Sequence, residues 1–243
     1  MNEEKNVIQK PISAGTYFRA KERLQMPAKR AVAKKIVNQL LHEGDSILLD
    51  AGSSSYPIAE EIAEKAKREP GTTHYTIMTH NYMAFDILVK SVPREAMCNI
   101  LLTGGRYDED LNALFGLQTL KSYEEFHPKV VLLAVSALEA NTGLYCHGNT
   151  EEFPVKQRIF EKPAVDRVIV ADHTKLGRPD ALCFGATSNL TTHVENCILV
   201  TDEPRKGDGP DAKERFEKSK ERFEKEHRIL TGKYGIKIEI AEI

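Results

Sequence analysis

The chain has no tryptophan, only four cysteines among 243 residues, and no excess of either charge. The cysteines (Cys98, Cys146, Cys183 and Cys197) show no CxxC spacing. They offer neither a disulfide framework nor a zinc ribbon, and they read as reduced intracellular thiols with no metal and no cofactor attached. Lys+Arg is 34 against 36 Asp+Glu, a formal net charge of -2, which excludes a histone-like nucleic-acid binder. No apolar run approaches the roughly 18 residues of a spanning helix. The start, Met1-Asn2-Glu3-Glu4-Lys5, lacks the apolar stretch of a signal peptide, so the expected setting is cytoplasmic with no membrane partner. The signatures GxxxxGK[ST], GxGxxG, HExxH and GxSxG are all missing.

What is present is an alternation of two rhythms. Val32, Ile36, Val37, Leu40 and Leu41 share one face of a helix predicted over 31–41. Further helices are predicted over 57–66 and 84–89. Strands are predicted at 47–49, 75–78, 99–102, 130–135, 167–171 and 197–201. The run Val130 to Val135 has no polar alternation, as befits a strand covered on both faces. Ile236, Ile238 and Ile240 alternate with Lys237 and Glu239, which predicts a half-exposed last strand. Strands separated by helices imply α/β architecture, a mainly parallel sheet flanked by helices. Residues 1–17 are expected to form an N-terminal arm and 18–243 one domain. Within it, 203–230 is a charged helical segment whose Phe216, Phe223 and Leu230 recur every seven residues, giving one narrow apolar seam.

Ligands of an open parallel sheet collect at the carboxyl ends of its strands, so the loops there carry the functional reading. The first is Asp50-Ala51-Gly52-Ser53-Ser54-Ser55. Its glycine allows close backbone approach, and three hydroxyls meet the start of a helix, an arrangement suited to phosphate. Capping by Ser55, with Pro57 in the first turn, explains part of the pattern but does not need three serines. Thr79-His80-Asn81 follows the second strand, where Asn81 also serves as a helix cap. Gly104-Gly105-Arg106 follows the third; the glycines suit a tight turn or a ligand, and Arg106 a phosphate. Glu152 and Lys156 are spaced as a helix-surface ion pair. Asp172, Thr174 and Lys175 put a carboxylate, a hydroxyl and an ammonium at one strand end, the right chemistry for a sugar bearing a phosphate.

In order, these motifs and the run Ala171-Asp172-His173-Thr174-Lys175-Leu176-Gly177 resemble the effector-sensing domain of DeoR-family transcriptional regulators. The family pattern is DAGTT[TS], TN, GG, an acidic residue followed by K-R, and DHSKFG. The resemblance runs from about 15 to 202, with a last strand at 236–240. It implies the fold of ribose-5-phosphate isomerases and CoA transferases, a phosphorylated sugar or related metabolite as effector, and an even-numbered homo-oligomer. It places phosphate at Ser53, Ser54 and Ser55, with Asp50, Gly52, Thr79, Asn81, Gly104, Gly105, Lys156 and Lys175 at motif positions around the same pocket. Lys129 stands where the family usually has Asp, and Ala134 and Ala137 where it often has Gly. Because Phe18 to Ile36 already resembles the family's linker and first sensor helix, this chain alone is not expected to bind DNA.

The alternative is a sugar-phosphate isomerase, with Glu152 or Asp172 as base and Lys156 or Lys175 stabilising an enediolate. The acidic DGADE-type loop of such enzymes falls near Ser136-Ala137-Leu138-Glu139, where only Glu139 is acidic. That lowers the enzymatic reading below the sensor reading.

Overall fold

Short runs of branched apolar residues become strands, and the amphipathic stretches between them become crossover helices. The computed structural model describes residues 20–21, 23–148, 150–207 and 211–243. The arm expected at 1–17 lies outside the described residues. The chain runs α1 (Met26–Gln39), β1 (Ser46–Leu49), α2 (Ser55–Arg68), β2 (Thr76–Thr79), α3 (Tyr82–Ser91) and β3 (Asn99–Leu102). It continues through β4 (Arg106–Asp108), β5 (Ala113–Phe115), α4 (Leu117–Glu125), β6 (Val130–Ala134), β7 (Ala137–Glu139), β8 (Gly143–Cys146) and α5 (Glu152–Phe160). The last elements are β9 (Ala164–Val170), β10 (Leu182–Ala186), β11 (Val194–Thr201), α6 (Ala212–Tyr234) and β12 (Lys237–Ile240).

Seven strands form one sheet in the order β12-β11-β9-β6-β1-β2-β3, with every neighbouring pair parallel. The α/β class read from the sequence is the class observed. From β1 the chain winds outward to β3, then resumes at β6 on the opposite side of β1. The winding therefore reverses between β1 and β6, and a crevice opens at their carboxyl ends.

Strand alternation divides the core in two. Ile47, Leu49, Ile77, Leu132, Val168 and Val200 pack with Ile36 of α1, Ile58 of α2 and Leu88 of α3 on one face. Leu48, Val131, Leu133, Ile169 and Leu199 pack with Tyr123 of α4, Val155 and Ile159 of α5, and Phe223 and Leu230 of α6 on the other. Ile236 is buried and β12 is half-exposed, as its alternation predicts.

Three features differ from the sequence reading. The stretch after β6, expected to be a polar loop, folds into β7 and β8, which with β10 make a separate antiparallel sheet. These strands are three to five residues long and carry too few positions to show a period. The Gly104-Gly105 turn leads into a β4–β5 hairpin. Gly105 sits at φ +131°, and a Cβ there would lie 2.4 Å from Thr119 Oγ1 and 2.6 Å from the Phe115 carbonyl, so packing alone demands glycine. Finally, the charged helix occupies 212–234 rather than 203–230, ending at Gly235 in the left-handed conformation. Its seam docks on the body through Phe223 and Leu230, and Glu226 turns inward to accept from the Ala140 N–H at 2.6 Å.

Candidate functional site

At the reversal point, Asp50 follows β1 and is fully buried. Its carboxylate accepts from the N–H groups of Ala51 at 2.8 Å and Ala134 at 2.9 Å, joining the ends of β1 and β6. Lys156, carried inward by α5, donates to Asp50 Oδ2 at 2.5 Å and to the carbonyls of Ala134 at 2.7 Å and Ala51 at 3.2 Å. An ammonium has three protons, and here three acceptors surround it. The spacing had suggested a surface pair with Glu152; the structure instead buries Lys156, leaving Glu152 Oε1 at 3.9 Å. The reason is the helix face: Val155, Lys156, Ile159 and Phe160 share the buried stripe of α5.

Burial pushes the Asp50 carboxyl up to about 6 from an ordinary 3.8, against the pull of Lys156. A raised carboxyl pKa means that the protonated form favours folding. This contribution is full below about 4 and lost as the pH rises through about 6. A carboxyl-carbon NMR titration of Asp50 is expected to show a midpoint near 6. A midpoint below 4 would show that pairing with Lys156 outweighs burial.

Behind Asp50 lies His80, which burial, aided by Lys156, holds well below the usual imidazole range. Its Nδ1 is 2.5 Å from the Tyr123 hydroxyl, and its Nε2 faces Asp50 Oδ1 at 3.9 Å. Thr79 and Asn81 are buried in the same layer. Asn81 caps α3 by accepting from the Ala84 N–H at 3.1 Å, and its amide donates to the Gly52 carbonyl at 3.3 Å. Thr79 Oγ1 accepts from the Asn81 N–H at 3.0 Å.

In front of this layer opens a cleft of about 320 Å³. Gly52, Ser53 and Ser54 line it together with Lys29, Lys156, Asp172 and Lys175. Gly52 turns at φ +140°, and a Cβ there would meet Ala134 Cβ at 3.4 Å. Lys29 Nζ donates to Ser53 Oγ at 2.9 Å, and Lys175 Nζ donates to Ser54 Oγ at 3.1 Å. Burial pulls the Lys175 ammonium down, partly opposed by Asp172. Two cations thus bracket two adjacent hydroxyls at the amino end of α2, where backbone N–H groups and the helix dipole also favour an anion. Capping differs from expectation: Ser54, not Ser55, precedes the helix, and it makes no side-chain cap bond. Its hydroxyl meets Lys175 instead.

The remaining expected residues divide clearly. Asp172 and Lys175 line the cleft, but Asp172 Oδ1 is occupied in turning the chain, accepting from the Thr174 N–H at 3.1 Å and also from the Thr174 hydroxyl. Asp50, Ser55, Thr79 and Asn81 support the lining without being part of it. Gly104 and Gly105 lie at the hairpin, outside the lining. Arg106, considered for phosphate, pairs with Glu151 at 2.6 Å. Lys21, Leu24, Gln25, Lys29 and Asp180 line the cleft although no motif pointed to them, and Ser136, named only for the missing acidic loop, lines it as well. Lys29 had a signal: with Ala28, Val32, Ala33, Ile36 and Val37 it occupies the buried face of α1, where a lysine is out of place. Starting the helix at 31 hid it. Among the described residues, no group of three or more His, Cys, Asp or Glu could hold a metal, and no helix is long and apolar enough to cross a membrane.

Residues 24–197 match the family model of the DeoR C-terminal sensor domain. The transcriptional repressor AccR of Agrobacterium fabrum is 23% identical over 72% of this chain and 61% of its own length. The repressor GlcR of Bacillus subtilis is 23% identical over 69% of this chain and 57% of its own. The lactose phosphotransferase system repressor of Staphylococcus aureus is 24% identical over 70% of this chain and 62% of its own. The chain therefore spans roughly three-fifths of the length of these curated relatives. Among solved structures, ribose 5-phosphate isomerase A of Methanocaldococcus jannaschii overlays with a TM-score of 0.42 at 16% identity, covering 60% of this chain and 52% of that one. The β subunit of eIF2B from Chaetomium thermophilum overlays with a TM-score of 0.41 at 15% identity, covering 68% and 42%. Both overlays are partial and neither bears on the chemistry of the cleft.

Proposed function

Because this chain belongs to the DeoR C-terminal sensor domain family, we propose that it is the effector-sensing part of a cytoplasmic transcriptional regulator and binds a phosphorylated sugar or related phosphometabolite in the cleft. The observation that carries this reading is the bracket of Lys29 and Lys175 around Ser53 and Ser54 at the amino end of α2. A phosphate seated there accepts from both hydroxyls and from main-chain N–H groups, and both ammonium groups offset its charge. The sugar extends toward Asp172, Ser136 and Asp180, whose oxygens suit hydroxyl groups. Asp50, Asn81 and Thr79 act from behind, fixing the loop rather than touching the ligand. One relative is named for a lactose phosphotransferase system, which fits a phosphorylated carbohydrate. Effector binding acts by favouring one arrangement of subunits, and DNA contact is supplied outside residues 20–243.

The isomerase alternative is less well supported. Lys156 already serves three acceptors and Asp172 Oδ1 is held by Thr174, so the proton transfer and the enediolate would fall to Glu152 and Lys175 in the cleft lining, without the acidic loop that such enzymes carry.

The test is a melting-temperature screen of sugar phosphates with inorganic phosphate as control. A ligand at a hundred times its Kd adds about 2.7 kcal/mol, or roughly 5–10 °C for a domain of this size. In the Ser53→Ala/Ser54→Ala variant the shift is expected to fall to under about a third of the wild-type value, because two hydroxyl contacts and the lysine bracket are lost together. An unchanged shift would place the ligand elsewhere.

A further inference from the structure

Lys29 does two things at once. It is 4% exposed, and its ammonium donates to Ser53 Oγ at 2.9 Å on the cleft side. On the other side it donates to the Lys21 carbonyl at 2.5 Å. That carbonyl belongs to the stretch before α1, described at 20–21 and 23–25, and it also accepts from the Leu24 N–H at 3.3 Å. The segment forms one wall of the cleft through Lys21, Leu24 and Gln25. Leu24 is 57% exposed. Gln25, the residue before α1, is left-handed at φ 55° and makes no side-chain cap bond.

We propose that Lys29 couples anion occupancy at Ser53 and Ser54 to the position of this segment before α1. This rests on the sugar-phosphate reading above and adds the means by which the bound state is passed out of the cleft. Two acceptors compete for the same ammonium N–H groups. Lys29 has three N–H donors, and a neutral backbone carbonyl is a weaker acceptor than a phosphate oxygen carrying charge. A phosphate seated against Ser53 lies beside Lys29 Nζ and turns the N–H that serves the Lys21 carbonyl toward itself. The carbonyl loses its charged donor, and the wall made by Lys21, Leu24 and Gln25 loosens. By reciprocity, anything that pins the segment in its present position weakens phosphate binding by the same factor.

Hydrogen exchange of the full chain tests this, with inorganic phosphate and ribose 5-phosphate as separate probes at concentrations that raise the melting temperature. In the wild type, either probe is expected to speed exchange of amides 21–25 by about threefold or more while slowing it at 52–55. In Lys29→Met, the segment is expected to exchange fast without ligand and to change no further on adding either probe, while Lys175 and the serines still give a reduced melting shift. A wild-type melting shift with unchanged exchange at 21–25 overturns the coupling and leaves the binding reading intact. A Lys29→Met segment that still responds to ligand also overturns it. Absence of any melting shift in the wild type with both probes and with every sugar phosphate of the screen overturns the binding reading, and the coupling falls with it. The wild-type comparison does not depend on the variant folding.

Discussion

Replacing Lys156 with methionine is expected to cost about 3–5 kcal/mol, because it leaves the Asp50 carboxylate buried without its counter-charge. Typical domains hold only about 5–15 kcal/mol of stability, so the variant should unfold at much lower urea. The loss is not confined to one pair. Lys156 also bridges the carbonyls of Ala51 and Ala134, the two strand ends at the cleft. Two comparisons isolate the charge. The first is Asp50→Asn/Lys156→Met, which removes both charges but leaves one amide oxygen where the carboxylate offered two, so one of the Ala51 and Ala134 N–H groups loses its acceptor. It should recover at least about 1 kcal/mol of the single variant's loss, since buried ion pairs are costly mainly when broken on one side. The second is pH. Without Lys156 the Asp50 pKa rises further, so the penalty should be larger at pH 8 than at pH 5, where the carboxyl can take up a proton. A Lys156→Met variant within about 0.5 kcal/mol of wild type would refute the pairing as described.

Arg167→Met is the second large effect. Arg167 on β9 is 1% exposed, and its guanidinium donates to four backbone carbonyls: Phe160 at 2.5 Å, Thr192 at 3.2 Å, Asn189 at 3.4 Å, and Leu190. It also lies 4.8 Å from the centre of the Phe160 ring. The side chain is a fork tying the end of α5 to the connection between β10 and β11. Burial lowers its pKa, yet it keeps its charge at any ordinary pH. Methionine fills similar volume but donates nothing. The Phe160 and Leu190 residues are buried, so their carbonyls bear most of the penalty, at about 1–3 kcal/mol each. The expected total is about 3–4 kcal/mol in denaturant unfolding, with new protease cleavage within 187–193. Arg167→Lys should restore less than half, because a single ammonium cannot span four carbonyls. A loss below about 1 kcal/mol would show that water replaces the guanidinium without cost.

The two large effects also show what the sequence made legible. The parallel sheet could be read because its strands are uninterrupted apolar runs, Val130 to Val135 above all. The serine loop stood out because three serines after a glycine exceed what capping requires, and the structure places Gly52, Ser53 and Ser54 in the cleft lining. Lys156 and Arg167 could not be read in their true setting. Surface and buried ions look alike in a sequence, and what distinguishes them is a partner 106 positions away for Lys156 and carbonyls 7 to 25 positions away for Arg167. The three-stranded minor sheet escaped for a different reason: its strands are short, and pairing across a bulge between Cys183 and Gly185 leaves no regular alternation to detect. Asn81 was read both as a cap and as a pocket residue, and its geometry is that of a cap that also steadies Gly52.

The reversal between β1 and β6 has a consequence for the timing of synthesis. Asp50 and the Ala134 amide that it holds are 84 positions apart, and Lys175 comes later still. A nascent chain emerging from the ribosome therefore has no complete cleft until Lys175 has been made. On the proposed reading, an effector would act as a late clamp, stabilising only chains whose two halves have already met.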